Sequence, residues 1–278
     1  MPAETAVLAH DADMGADAFS FRLEGRAFAP HFHQAWVLGC VLSGRRHLVV
    51  RGRRFLAKAG DIVLVRPGEV HACAPAGEAP FIWRGFHFDP ACPAASLLGP
   101  LAGVALAAGP VFSGGGLLDA LLEAHALLGS SVPAAQKWAC LAAALQRPAP
   151  VRPTDVRRAP ARTVEPGLEA LRARLEAQAP ERWTLEAMAA LARMDKYRLV
   201  RAFARMTGAT PYRYLESVRV NRAQELLEQG LPAAEAALEA GFTDQSHLSR
   251  AMRTRLGVTP GAWRRLPGRS GRPAGRPA

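Results

Sequence analysis

The stretch "ARMDKYRLVRAFARMTGATP", Ala192 to Pro211, recurs 49 residues later as "GFTDQSHLSRAMRTRLGVTP", Gly241 to Pro260. Over 184–215 against 233–264, nine of 32 positions are identical: Glu186/Glu235, Ala187/Ala236, Asp195/Asp244, Leu199/Leu248, Arg201/Arg250, Ala202/Ala251, Gly208/Gly257, Thr210/Thr259 and Pro211/Pro260. This ordered frame constrains the fold strongly, because it dictates the same local structure twice. Each copy opens with a short Ala-rich helix, Thr184–Ala192 or Pro232–Ala240. Three residues follow, with a small one at the bend (Ala192 or Gly241), and then an Asp suited to N-cap the next helix.

The second helix of each copy buries Leu199 and Phe203, or Leu248 and Met252, at i,i+4 spacing. It turns Lys196, Tyr197, Arg198, Arg201 and Arg205 outward in the first copy. In the second it turns out Gln245, Ser246, His247, Ser249, Arg250 and Arg253. Helix, tight turn and capped helix with a polar, basic outer side is the helix-turn-helix plan. Leu215, Val218, Ala223 and Leu226 keep helical periodicity between the copies, and Gly230 supplies a stop. One long helix is therefore expected to hold two readers apart.

Charge points the same way. Residues 1–146 carry 11 Lys+Arg and 11 Asp+Glu, whereas 147–278 carry 24 against 13, so the formal net charge of +11 lies wholly in the half with the repeat. That half is suited to a polyanion and the neutral half is not. Arginine can bond two acceptors on guanine and glutamine the donor–acceptor pair on adenine, while serine and backbone N–H groups fix phosphates. Double-stranded DNA is the expected partner.

The neutral half reads as strands from Phe28 to Phe88. "AWVLGCVL" (35–42), "HLVV" (47–50), "DIVLVR" (61–66) and "FIWRGFHF" (81–88) are separated by Ser43-Gly44, Arg51-Gly52, Ala59-Gly60 and Pro67-Gly68, which predicts an antiparallel barrel or sandwich. Helical spacing follows. Leu117, Leu121 and Leu128, with Leu118, Leu122 and His125 beside them, form an apolar stripe, and Pro133 to Gln146 a second helix. The stripe is wider than one neighbour needs, so dimerisation through this half is expected, with packing on the barrel the competing use. The expected layout is α+β in two domains: 1–146 as sensor, 147–162 as a Pro/Arg-rich linker, 163–266 as the reader, and 267–278 as a disordered basic tail.

Four widely spaced cysteines, Cys40, Cys73, Cys92 and Cys140, form no zinc or disulfide pattern and suit a reducing compartment. The acidic N-terminus does not read as a signal peptide, and prolines break the uncharged run from Asp89 to Asp119. A cytoplasmic protein, without membrane or cofactor, is expected.

Residues 163–266 resemble the DNA-binding domain of AraC/XylS-family transcription regulators, most densely over "ALEAGFTDQSHLSRAMRTRLGVTPGAWRR" (237–265). The resemblance implies two helix-turn-helix units whose second helices enter successive major grooves. It makes Tyr197, Val200 and Arg201 the base-facing side of the first reader, and Gln245, Ser246, Ser249 and Arg250 that of the second. Two positions depart from the family: Met252 replaces the usual Phe, and Val200 is apolar where many members are polar.

"PHFHQAWVLGCVLSG" (30–44) and "GDIVLVRPGEVH" (60–71) are similar to the two strand motifs of the cupin barrel, the fold of that family's sensor domain. His31, His33 and His71 fall where metal-binding cupins place histidine ligands, but Gln34, Ala35 and Trp36 stand where a carboxylate would follow. Three uses stay open. The barrel is an effector pocket lined by His31, His33, Trp36, His71 and Trp83; or His31, His33 and His71 hold a metal in a cupin enzyme fused to a DNA-binding domain; or the histidines serve local hydrogen bonds. The resemblance favours the first: a sequence-specific transcription regulator, not an enzyme, modulated by a small-molecule effector, with a homodimer and, in an activator, RNA polymerase as partners.

Overall fold

The computed structural model describes residues 5–11, 14–128, 130–147 and 165–265. Apart from Arg147, the expected linker and tail lie outside these residues. The chain divides into two compact units, one holding residues 33–147 and the first strands, the other holding 165–265.

In the first unit ten strands form two sheets. β1 (Thr5–Asp11), β2 (Ala16–Leu23), β4 (Trp36–Ser43), β7 (Asp61–Val65), β9 (Phe81–Phe88) and β10 (Val111–Ser113) make one, in the order β1-β2-β9-β4-β7-β10. β3 (Phe28–His31), β5 (Arg45–Val50), β6 (Arg53–Lys58) and β8 (His71–Pro75) make the other, in the order β3-β8-β5-β6. Pairing throughout the six-stranded sheet, and of β5 with β6 and β8, is antiparallel. This is the expected cupin-like architecture, with more strands than the apolar runs alone suggest. The turn signals hold: Gly44, Gly52, Gly60 and Gly68 all take positive φ. Arg51 and Gly52 both do so, as a two-residue hairpin turn requires, and Arg51 Nε is held by Glu69 Oε1 at 2.7 Å.

Strand alternation sorts the six-stranded sheet into two faces. Leu38, Cys40, Phe86 and Phe88 share one core with Leu117, Leu121, Leu128 and Leu141. These come from α3 (Gly115–Leu127), the residue after it, and α4 (Ala134–Leu145). Before them lie α1 (Pro93–Leu97) and α2 (Gly99–Ala108). The leucine stripe is thereby used within the unit. Leu117, Leu121 and Leu128 are buried, Leu118 and Leu122 pack against the same core, and His125 Nε2 donates to Phe19 O at 3.0 Å.

The second unit is all helix: α5 (Pro166–Ala177), α6 (Leu185–Ala192), α7 (Lys196–Thr207), α8 (Pro211–Glu228), α9 (Ala233–Glu239), α10 (Gln245–Leu256) and α11 (Pro260–Arg264). Both repeat copies fold alike after their caps, and α8 joins them. Leu215, Val218 and Ala223 are buried along α8, with Leu227 rather than Leu226 finishing the apolar row. Arg255, only 2% exposed, bonds Glu216 and so clamps α10 to α8. Among the described residues no helix is long and apolar enough to cross a membrane.

Candidate nucleic-acid interface and barrel site

The caps set the two reader helices. Asp195 accepts from the N–H of Arg198 at 2.9 Å, and Asp244 from that of His247 at 2.8 Å. These bonds hold the Asp244 carboxyl below its ordinary range, helped by the Thr243 hydroxyl. Gly208 and Gly257 end the helices in the left-handed conformation. The bends differ by one residue. In the second copy Gly241 takes positive φ (90°), but in the first α6 runs through Ala192, and Arg193 (φ 55°) makes the turn. The expected bend at Ala192 is corrected accordingly: Ala192 is buried, and the strained position falls on an arginine.

Beyond the caps, Tyr197, Arg201, Arg205, Gln245, Ser246, Arg250 and Arg253 are exposed, while Val200, His247 and Ser249 are half-buried. Among the described residues the Arg201, Arg205 and Arg250 guanidiniums make no intramolecular hydrogen bond or ion pair. Lys196 is bonded to Glu186 and Arg198 to Glu165, on the flanks of α7. His247 faces Glu216 at 3.9 Å and Thr243. The base-facing row that the repeat suggests thus survives at its centre, with Lys196, Arg198 and His247 bound into the unit at its margins. Exposed pairs of this kind are worth little and can open for a phosphate.

In the first unit the face of the six-stranded sheet away from the α3–α4 core carries a row of rings. Trp83 stacks on Phe19 at 5.7 Å, Phe19 meets His87 at 4.7 Å, His87 meets His33 at 5.0 Å and His33 meets His71 at 5.2 Å. Trp83 lies where Gly39 leaves room; a Cβ there would come within 2.5 Å of the indole. The Trp83 Nε1 is buried and finds no hydrogen-bond acceptor among the described residues.

Of the residues expected in this site, His31, His33, His71 and Trp83 lie on or beside this row. Trp36 does not. Two residues before Leu38 on the same strand, it packs against the helix-covered core, on the other face of the sheet. His87 was missed, although Trp83, Gly85 and His87 alternate onto one face of β9 and the period-2 rule could have found it.

His31 Nδ1 donates to Ala29 O at 2.7 Å and His71 Nδ1 to Glu69 O at 3.0 Å. Local bonding is therefore present, as one of the three readings holds. The same bonds place the lone pair of each ring on Nε2. One ligand atom each from His31, His33 and His71 can be chosen so that all lie within 4.8 Å of one another. Burial pushes the His71 imidazole below its usual range, against the Glu69 carbonyl bond and charge, so the neutral ring is favoured.

Residues 14–147 match the model of an AraC-like ligand binding domain, and residues 188–266 that of a helix-turn-helix domain. YbfI of Bacillus subtilis (strain 168), an HTH-type transcriptional regulator, is 28% identical over 89% of this chain and 91% of its own. GbdR of Pseudomonas aeruginosa, also an HTH-type regulator, is 30% identical over 41% of this chain and 30% of its own. The apo structure of a ToxT variant from Vibrio cholerae has a similar fold, with a TM-score of 0.52 at 10% identity, over 92% of this chain and 98% of that one. With a ligand-binding domain, a tandem helix-turn-helix and a near full-length regulator as relative, the chain belongs to the AraC family of DNA-binding transcriptional regulators.

Proposed function

We propose that this regulator reads DNA with Tyr197, Val200 and Arg201 on one helix and Gln245, Ser246, Ser249 and Arg250 on the other, and that an effector held among Trp83, Phe19, His87 and His33 sets its operator affinity. Lys196, Arg198, Arg205, His247 and Arg253 take the flanking phosphates. The carrying observation is the Trp83 Nε1, a buried donor with no acceptor among the described residues, at one end of a continuous aromatic row. An unmade hydrogen bond in such a place costs about 1–3 kcal/mol, which a ligand oxygen would recover.

The protein acts in the cytoplasm, where bacterial DNA lies, as a homodimer, and contacts RNA polymerase if it activates. Since α3 spends its stripe inside the unit, the support for a dimer moves to α2, where Leu106 is 62% exposed. A metal-dependent enzyme has less support, because the matched family regulates transcription.

The test is operator binding with and without candidate effectors. Trp83→Phe keeps the ring but removes the donor. It should leave ligand-free operator affinity within about twofold and lose most of the effector response, which for a typical coupling is roughly 5–150-fold. A full response in Trp83→Phe would move the pocket elsewhere.

A further inference from the structure

We propose that His31, His33 and His71 form a binding site for one divalent transition-metal ion of the zinc, cobalt or nickel kind, inside the ligand-binding unit. His31 and His71 are both buried, and His33 is half-buried. The two Nδ1–H bonds, to Ala29 O and Glu69 O, orient their rings and direct both Nε2 lone pairs for coordination, the arrangement by which protein carbonyls fix metal-ligating histidines. The ligand atoms, at most 4.8 Å apart, need to close to about 3.3 Å for a tetrahedral ion with bonds near 2.0–2.1 Å. Small side-chain rotations of the half-buried His33 accomplish most of that.

Three neutral imidazoles select borderline-soft ions and reject calcium and magnesium, which require oxygen ligands. With no carboxylate in the set, the bound ion keeps its full positive charge, and its remaining positions go to water or to an anionic oxygen. His87, whose ring lies 5.0 Å from His33, stands beside such a ligand. The site deepens the effector reading, since it makes an oxygen-donor anion the natural ligand of this barrel.

The experiment uses the untagged full chain, stripped with chelator and titrated with cobalt(II) and zinc(II) by absorbance and calorimetry. One ion per chain is expected, with a cobalt spectrum of four- or five-coordinate nitrogen ligation lacking thiolate charge transfer. His33→Ala and His71→Ala should each weaken binding at least tenfold, and His47→Ala, remote from the triad in sequence and outside the ligand set, should not. Circular dichroism checks that the variants fold; His33→Gln serves where His33→Ala does not. Absence of saturable binding, a thiolate spectrum, or unchanged affinity in both triad variants overturns the site. Operator binding by stripped protein is read in parallel: its survival alongside a failed titration removes the metal and leaves the DNA reading standing.

Discussion

Arg201 and Arg250 occupy the same register on the two reader helices, and both side chains are exposed. Arg250→Ala should cost about 1–3 kcal/mol on the specific operator and relax preference at one base pair; competition binding with single-position operator variants reads both effects. Intact affinity and preference would displace Arg250 from the base-facing row. The bends make a second contrast between single residues. At Gly241 an added Cβ would meet Pro180 Cα at 2.7 Å and Pro180 O at 3.0 Å, with φ already at 90°. Gly241→Ala should therefore lower the unit's stability by more than about 1 kcal/mol. Arg193, left-handed without glycine's freedom, behaves oppositely: Arg193→Gly should be neutral or stabilising by up to about 1 kcal/mol. Denaturant melts of the two variants decide whether the bend strain is assigned correctly.

At the scale of elements, the Asp244 cap is worth about 0.5–2 kcal/mol to α10, and Asp244→Ala should lose that amount. Because its carboxyl is held below the ordinary range, the contribution is present above the unfolded pKa and disappears as pH falls through the lower folded value. His125 works in the other direction of charge. Desolvation lowers its pKa, opposed by the Phe19 carbonyl bond and reinforced by Arg84. The folded unit holds the ring neutral while the unfolded chain protonates it near pH 6.5. Stability should fall as pH drops below about 6.5, and His125→Gln should flatten that slope in thermal melts between pH 7.5 and 5.5.

These elements also show where sequence suffices. Asp caps, glycine stops and i,i+4 apolar pairs act over a few residues, so α7, α10 and α8 were legible in advance, as were the four central strands and their glycine turns. β1, β2 and β6 were not. "RRFLAK" alternates, but it shows too few apolar residues to stand out, and pairing rather than propensity makes it a strand. The site was half legible for a similar reason. Side-chain alternation assigns faces only once the strand frame is known, and that frame puts Trp36 into the α3–α4 core and His87 beside His33. The width of the leucine stripe was read correctly, but its use inside the unit depended on α4 and the sheet covering both flanks.

For the whole molecule, the segregated charge implies that operator affinity falls steeply with salt, with a log–log slope of about −0.9 for each phosphate neutralised. The 18 residues of α8 span about 27 Å at 1.5 Å per residue, close to the roughly 34 Å of one DNA turn, so two readers on either side of it suit adjacent major grooves on one face of the duplex. The most direct test is selection of bound duplexes from a random pool by the full chain, in parallel with Arg201→Ala and Arg250→Ala. Two short sequence elements should be enriched, centred about 10–10.5 base pairs apart, each variant relaxing one of them and leaving the other. A single element, or two elements that both survive in each variant, would contradict a tandem reader built on these two helices.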